Sequence, residues 1–272
     1  MPVPSAQPAL SRRRLLSLAG AGAVSGLLSG CSSDLSGRSP VDNARCVART
    51  TLDSHRSLSG QPFFYEVSRA RASFSFEPKF FTGLGDWFDD YARLSGQARP
   101  DQVWTYGAWR GSDGSCSSWH QAGRAFDLAR LRLDGGDFVS CRYDRWRSDP
   151  EPARERALRR YWALAASLHL HFAYVLTYHY DSRHFNHIHV DNSRSGNERS
   201  TFSTRSRVQV QAVQAICGAL WGAPVEVTGR WDSDTRRASR RALDELEVAG
   251  DLDDGVEAWR AFLTASAARG GD

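Results

Sequence analysis

Lysine is almost missing from this 272-residue chain: of its 35 basic residues only Lys79 is one, and the other 34 are arginine. That bias reads as a coding preference rather than as a surface shaped for polyanions. No aromatic–basic platform and no groove-reading motif accompanies it, which argues against nucleic acid as a partner. There are five cysteines and no C-x-x-C pair among them, which disfavours a cysteine zinc ribbon or a thioredoxin-like redox site. The apolar stretch Leu15–Leu28 falls short of the roughly 20 residues that cross a bilayer. Internal repeats are lacking too, which argues against solenoids and propellers. What remains, 41% hydrophobic and 24% charged, is the composition of an ordinary folded protein.

The arginines at one end have a different use. Residues 1–30 hold Arg12, Arg13 and Arg14 and no acidic residue, followed by the weakly apolar run to Leu28. A basic start, an apolar core and a small-residue cleavage site in that order read as an export signal. Ser11-Arg12-Arg13-Arg14-Leu15-Leu16 resembles a twin-arginine motif, and Leu28-Ser29-Gly30-Cys31 resembles a lipobox. Cys31 is then the lipidated first residue of the mature chain, and its acyl chains are the contact with the membrane. The expected location is the outer face of the cytoplasmic membrane, facing the cell wall. Without the three arginines, 32 basic residues face 31 acidic ones, so the basic balance carries no information about partners. Four cysteines are left, and an even number in an exported chain permits disulfides. Cys116 and Cys141 flank a predicted strand and hairpin and are the expected pair.

Residues 31–43 read as a Ser/Gly/Pro tether. Phe80, Leu84, Trp87, Phe88, Tyr91 and Leu94 recur at helical spacing. Val103–Arg110 reads as a strand. After a Gly/Ser-rich loop, Ala125–Leu133 reads as a second strand, with Asp127, Ala129, Leu131 and Leu133 on one face. Asp134-Gly135-Gly136-Asp137 is a hairpin turn into Phe138–Cys141. A helix follows over Glu151–Leu170, then strands over Phe172–Tyr180 and His187–Asp191. This order is α+β: an antiparallel sheet flanked by helices over residues 44–195. After a polar linker, 196–206, residues 207–272 read as a small three-helix domain.

The candidate chemistry lies in two clusters. The first runs Ser118-Trp119-His120-Gln121-Ala122-Gly123-Arg124-Ala125-Phe126-Asp127, the second His184-Phe185-Asn186-His187-Ile188-His189-Val190-Asp191. In a strand His187 and His189 point to one face, so they can converge on one site. Two imidazoles and a carboxylate with an open fourth position suit a catalytic zinc ion.

Ser118, His120, Gly123, Ala125 and Asp127 fill the pattern S-x-H-x-x-G-x-A-x-D. With the downstream H-x-H they resemble the zinc D,D-peptidases of peptidoglycan, and within that group the extensin-like C-terminal domain. His184, His187 and His189 repeat the H-x-x-H-x-H spacing of murein endopeptidases. The resemblance implies a D,D-peptidase/hedgehog-like sheet, one zinc ion on His120, Asp127 and His189, and catalytic roles for His187 and His184. Many relatives carry an acidic residue where this chain has Asn186. Arg110, ten residues before His120, is a candidate for stabilising an oxyanion. Val208-Gln209-Val210-Gln211-Ala212-Val213-Gln214, Val227-Thr228-Gly229-Arg230-Trp231 and Ala258-Trp259 resemble a peptidoglycan-binding-like domain; a helical cap on the catalytic sheet is the other reading. The expected function is a zinc-dependent peptidoglycan hydrolase of the metallopeptidase type. The alternative is a non-catalytic wall-binding lipoprotein with a structural metal.

Overall fold

The structure, a computed structural model, describes residues 46–112, 116–192 and 199–271. The export signal, Cys31 and the tether lie outside the described residues. Five short strands come first among the described residues: β1 (Asp53–His55), β2 (Ser57–Leu58), β3 (Gln61–Tyr65), β4 (Ala70–Arg71) and β5 (Phe74–Phe76). Helix α1 (Pro78–Leu94) follows, then β6 (Gln102–Gly107), β7 (Ala125–Leu133) and β8 (Gly136–Ser140). A short α2 (Tyr143–Trp146) leads to α3 (Ala153–His171), β9 (Tyr174–Leu176) and β10 (Ile188–Asp191). Three helices end the chain: α4 (Arg207–Trp221), α5 (Ser233–Glu245) and α6 (Val256–Ala268). The order is α+β, as the hydrophobic periodicity predicts.

The main sheet has the order β2-β3-β6-β7-β10-β9, with β4 beside β3 and β8 beside β7; β1 and β5 form a separate antiparallel pair. It is antiparallel except at β3 and β6, which run parallel because the α1 crossover returns the chain in the same direction. Strand β7, nine residues long, pairs with β6 between Asp127 and Arg132 along one edge. Along the other edge β7 pairs first with β10 and then with β8. That length makes β7 the spine on which the site is built.

Two bulges interrupt the β6/β7 ladder. Trp104 faces Arg130 while Thr105 faces Leu128, so Ala129 is an extra residue; Thr105 faces Leu128 while Gly107 faces Asp127, so Tyr106 is another. An inserted residue reverses the inward–outward alternation beyond it. Asp127, Ala129, Leu131 and Leu133 therefore do not share a face. Phe126, Leu128 and Leu131 all enter the core, while Asp127 and Arg130 face cavities outside it. Fully buried Thr105 repairs the ladder: its hydroxyl donates to the Asp127 carbonyl at 2.7 Å and accepts from the Gly107 amide at 2.8 Å. Buried backbone groups freed by a bulge need such partners.

Helix α1 is started by Glu77, whose carboxylate accepts from the Phe80 amide at 2.8 Å, and by Pro78 at its first turn. Its apolar stripe (Phe80, Leu84, Trp87, Phe88, Tyr91) is buried. Helix α3 is buried on every side from Tyr161 to Leu170, the signature of a central helix. Trp87 Nε1 donates to Ser167 Oγ at 3.0 Å, linking α1 to α3. Helices α4, α5 and α6 contribute Val213, Ile216, Leu243, Trp259 and Phe262 to the same hydrophobic cluster as the sheet. Within them the buried Gln214 ties the turn before α5 to α4: its amide donates to Thr235 Oγ1 at 2.8 Å and to the Arg230 carbonyl at 3.1 Å, and it accepts from the Gly229 amide at 2.8 Å.

The disulfide differs from the expected one. Cys116 is bonded to Cys46, and Cys141 is a free, buried thiol. The reason is topological. Cys141 follows β8 into the core, where burial pushes its thiol pKa up, whereas Cys116 sits on a loop outside the sheet.

Candidate metal centre

His120 sits on a single 3-10 turn, Trp119–Ala122, just before β7. Ser118 and Gln121 close a capping box around it: Ser118 Oγ accepts from the His120 amide at 3.3 Å, and Gln121 Oε1 accepts from the Ser118 amide at 3.2 Å. Gly123 then turns the chain into β7 with φ at 68°, a left-handed conformation that favours glycine. A Cβ there would stand 2.8 Å from Leu52 Cδ2 and 3.0 Å from the Glu77 amide nitrogen. Trp119 is buried beneath the turn with Ala122 and Ala125, and Arg124 stacks 4.8 Å from its ring.

The other two members are cross-strand neighbours, since His189 of β10 pairs with Asp127 of β7. His120 Nε2 lies 3.2 Å from Asp127 Oδ1, His189 Nδ1 lies 2.8 Å from the same oxygen, and the two nitrogens are 3.2 Å apart. These three residues could hold a metal ion. The chemistry of the donors fits one. His120 Nδ1 donates to the Ala108 carbonyl, and His189 Nε2 donates to Asp191 Oδ2 at 3.2 Å. In neutral imidazoles that leaves both inner nitrogens as acceptors. Two nitrogen lone pairs and a carboxylate oxygen then face one another and require a cation between them. Ligands about 2.0–2.1 Å from a tetrahedral ion stand roughly 3.3 Å apart, close to the observed triangle. The outer bonds are the ones that metal-binding histidines make to fix ring orientation.

Without a metal, a proton takes that place. Burial opposes charge on His189, but the hydrogen bonds and negative charges of Asp127 and Asp191 outweigh it and raise its pKa to about 9. Asp127 is buried, which raises its pKa, yet the positive charges of His120 and His187 and the bonds to His120 and His189 hold it well below the usual carboxylate range. Asp191, fully buried, is the residue that sequence reasoning missed. A signal existed: it stands two residues after His189 in a strand and so shares its face.

A cavity of about 470 Å³ opens over this group, with His184, His187, Tyr180, Arg183 and Arg110 on its walls. Every site residue expected from the sequence, Cys31 and Cys141 apart, is in or beside it. His187 Nδ1 donates to Asn186 Oδ1 at 2.6 Å, and its Nε2 lies 3.4 Å from Asp127 Oδ1. Burial, only partly offset by Asp127, brings its pKa down to about 4, so this ring is a neutral acceptor near pH 7. His184 Nδ1 bonds Asp181 Oδ1 at 2.8 Å. Burial would raise the Asp181 pKa, but hydrogen bonds from Arg183 and His184 bring it to about 2. Asp181, three residues before His184, was not anticipated either. Arg110 is exposed on the rim, and its amide donates to the His120 carbonyl at 3.3 Å, which fixes its backbone to the histidine turn. The Val47 amide also donates to this turn, to the Gln121 carbonyl at 3.0 Å, next to the Cys46–Cys116 bridge.

Residues 105–203 match the family model described as extensin-like protein C-terminus, a span that contains the whole histidine and aspartate group. No curated protein and no solved structure matches the chain.

Proposed function

We propose that this chain is a zinc-dependent hydrolase that cuts an amide bond in the stem peptides or cross-links of peptidoglycan, exported and held by a lipid on Cys31 at the outer face of the cytoplasmic membrane. One observation carries the reading: three acceptor atoms converge beside a histidine that stays neutral and outside the triangle. His120, Asp127 and His189 would hold the metal, with Asp191 and the Ala108 carbonyl orienting the two imidazoles. A bound zinc ion supplies Lewis acidity, polarising a carbonyl and easing proton loss from water at neutral pH.

The side chains divide the remaining work. Because Asn186 occupies the Nδ1 proton of His187, Nε2 keeps its lone pair and takes the proton of the attacking water. The same proton then leaves with the amine. Asp181 holds the His184 ring against this path, and Arg110 offers its donors to the oxyanion. The half-buried walls reduce the water that competes for these charges.

Asn186 itself favours a second reading, a non-catalytic wall-binding lipoprotein with a structural metal, because an amide cannot serve as the acid or base found at that place in relatives. Metal analysis of the mature chain, followed by muropeptide profiling of digested sacculi, separates the two. The hydrolase reading expects new muropeptides with the wild type, a loss of about 10²–10⁴ in rate with His187→Ala at full metal content, and loss of metal with His189→Ala. Full metal with no new muropeptide sinks it.

A further inference from the structure

A second cavity, about 510 Å³, lies on the same outer face of the sheet. It is separated from the first by Tyr106, whose ring sits 5.9 Å from that of His187. Two charged side chains of its floor, Glu66 and Arg142, are buried. Arg142 Nη1 donates to Glu66 Oε1 at 2.7 Å, and its Nε and Nη2 grip the Asp144 carboxylate at 2.8 and 2.7 Å. Arg130 Nε donates to Glu66 Oε2 at 3.0 Å, and its Nη1 to Asp137 Oδ2 at 3.1 Å. These two guanidiniums are spoken for. The other two on the walls are not: among the described residues the Arg69 side chain makes no hydrogen bond or ion pair, and the Arg145 guanidinium has only a 3.8 Å contact with Asp144. Four guanidiniums thus stand against three carboxylates, with the surplus charge at the mouth. Val67, also on the wall, is 66% exposed and is the large apolar side chain most open to water among the described residues.

We infer that this cavity is an anion subsite: Arg69 and Arg145 bind a free carboxylate on an extended peptide whose scissile amide lies at the metal centre. Guanidiniums suit the fixed geometry of a carboxylate, and Val67 gives the adjoining carbons an apolar contact. The spacing sets where the carboxylate falls. Asp127 lines the first cavity and Arg130 the second, three residues on along β7 with Ala129 taken up by the bulge, about 7–10 Å at strand rise, which an extended peptide spans in two to three residues. The Ala129 bulge puts both on this face. The inference rests on the peptidase reading for the identity of the ligand as a peptide.

The test uses two synthetic pentapeptides ending in D-Ala-D-Ala, one with a free carboxylate on its second residue and one with that group amidated. Binding is measured by calorimetry on the metal-loaded full chain carrying His187→Ala, so that the peptides stay intact. The free acid should bind about tenfold tighter at low ionic strength, and the ratio should shrink as salt shortens the screening length below about 10 Å. Arg69→Asn, a residue that accepts the left-handed backbone at this position, combined with Arg145→Ala should bring the ratio to about one. Arg145→Glu alone, at an exposed helix position, should invert it. Equal binding of the two peptides by the parent chain overturns the subsite, as does a preference that survives the double variant, or no binding of either peptide. Cleavage of the same peptides by the wild type is followed in parallel. A salt-sensitive preference without cleavage supports the subsite and overturns only the stem-peptide form of the peptidase reading.

Discussion

Proton and metal compete for one nitrogen, and the competition can be measured. In the metal-free chain His189 keeps its proton to about pH 9 because Asp127 and Asp191 bracket the ring. At pH 7 that is about two units of protonation to undo, roughly a hundredfold in apparent metal affinity or about 2.7 kcal/mol. Metal loading at pH 7 should therefore release about one proton. Titration calorimetry in two buffers of different ionisation enthalpy reads that number directly. Apparent affinity, measured against a competing chelator, should rise about tenfold between pH 7 and 8 and flatten near pH 9.

The stability of the metal-free chain should move the opposite way. A folded pKa raised above an unfolded value of about 6.5 gives stability that is fully present below pH 6.5 and is lost as pH rises towards 9. The melting temperature of the apo chain falls across that window, while that of the loaded chain holds or rises. Asp191→Asn sharpens the test. It removes one of the two carboxylates, so both windows shift to lower pH. It also frees the His189 ring, which costs about 10–100-fold in affinity at pH 9, where the proton no longer competes. At pH 7 the loss should be smaller, because the proton is also held less tightly. A metal affinity that is flat from pH 7 to 9, with no proton released, would refute this account of the triangle.

Four further outcomes rest on the turn, the bulge and the disulfide around the metal centre. Gly123→Ala puts a Cβ against Leu52 and the Glu77 backbone in a left-handed conformation, and should cost about 1–3 kcal/mol in chemical denaturation together with weaker metal retention. Thr105→Val keeps the volume but strips the bulge of its patch, leaving the Gly107 amide unpaired; a loss of about 1–3 kcal/mol is expected, and wild-type stability would contradict the role given to that hydroxyl. Non-reducing peptide mapping should find Cys46 linked to Cys116, with Cys141 and Cys217 alkylated only after denaturation. Opening this bridge, which spans 70 residues of sequence, should destabilise the chain by about 4 kcal/mol on loop entropy alone.

Sequence reasoning reached what is periodic and local. The expected strand Ala125–Leu133 has the bounds of β7, and the spacing of Phe80–Leu94 lies within α1, because a long periodic pattern constrains itself. The strands between Asp53 and Phe76 did not stand out: segments of two to five residues are too short to show a period. The Phe172–Tyr180 strand shrank to Tyr174–Leu176, since Tyr178 leaves the sheet to stack on Tyr143 at 3.9 Å, beside Trp162. Cys46 was beyond reach. Its partner is fixed by the path of a loop over the metal turn, a long-range fact with no local signature.

The metal ligands were legible for a physical reason. His120 and Asp127 are joined by one tight turn, and His187 immediately precedes the strand that carries His189, so spacing alone nearly fixes their geometry. Where the two segments meet is a matter of register, and the register depends on bulges that composition hides. Ala129 is the clearest case, because an apolar residue in an alternating strand looks like one more inward position. Its insertion instead reverses the pattern: Leu131 stays in the core and Arg130 turns outward towards Glu66. Without that extra residue Arg130 would point into a cluster of phenylalanines and leucines, at a desolvation cost of several kcal/mol. The alternation Asp127–Leu128–Ala129–Arg130 is therefore consistent with the fold only if a bulge is present. A charged residue that falls on the buried phase of an otherwise regular strand is itself the sequence signal for the bulge, and here it marks where the outer face turns from the metal centre to the arginine-lined cavity.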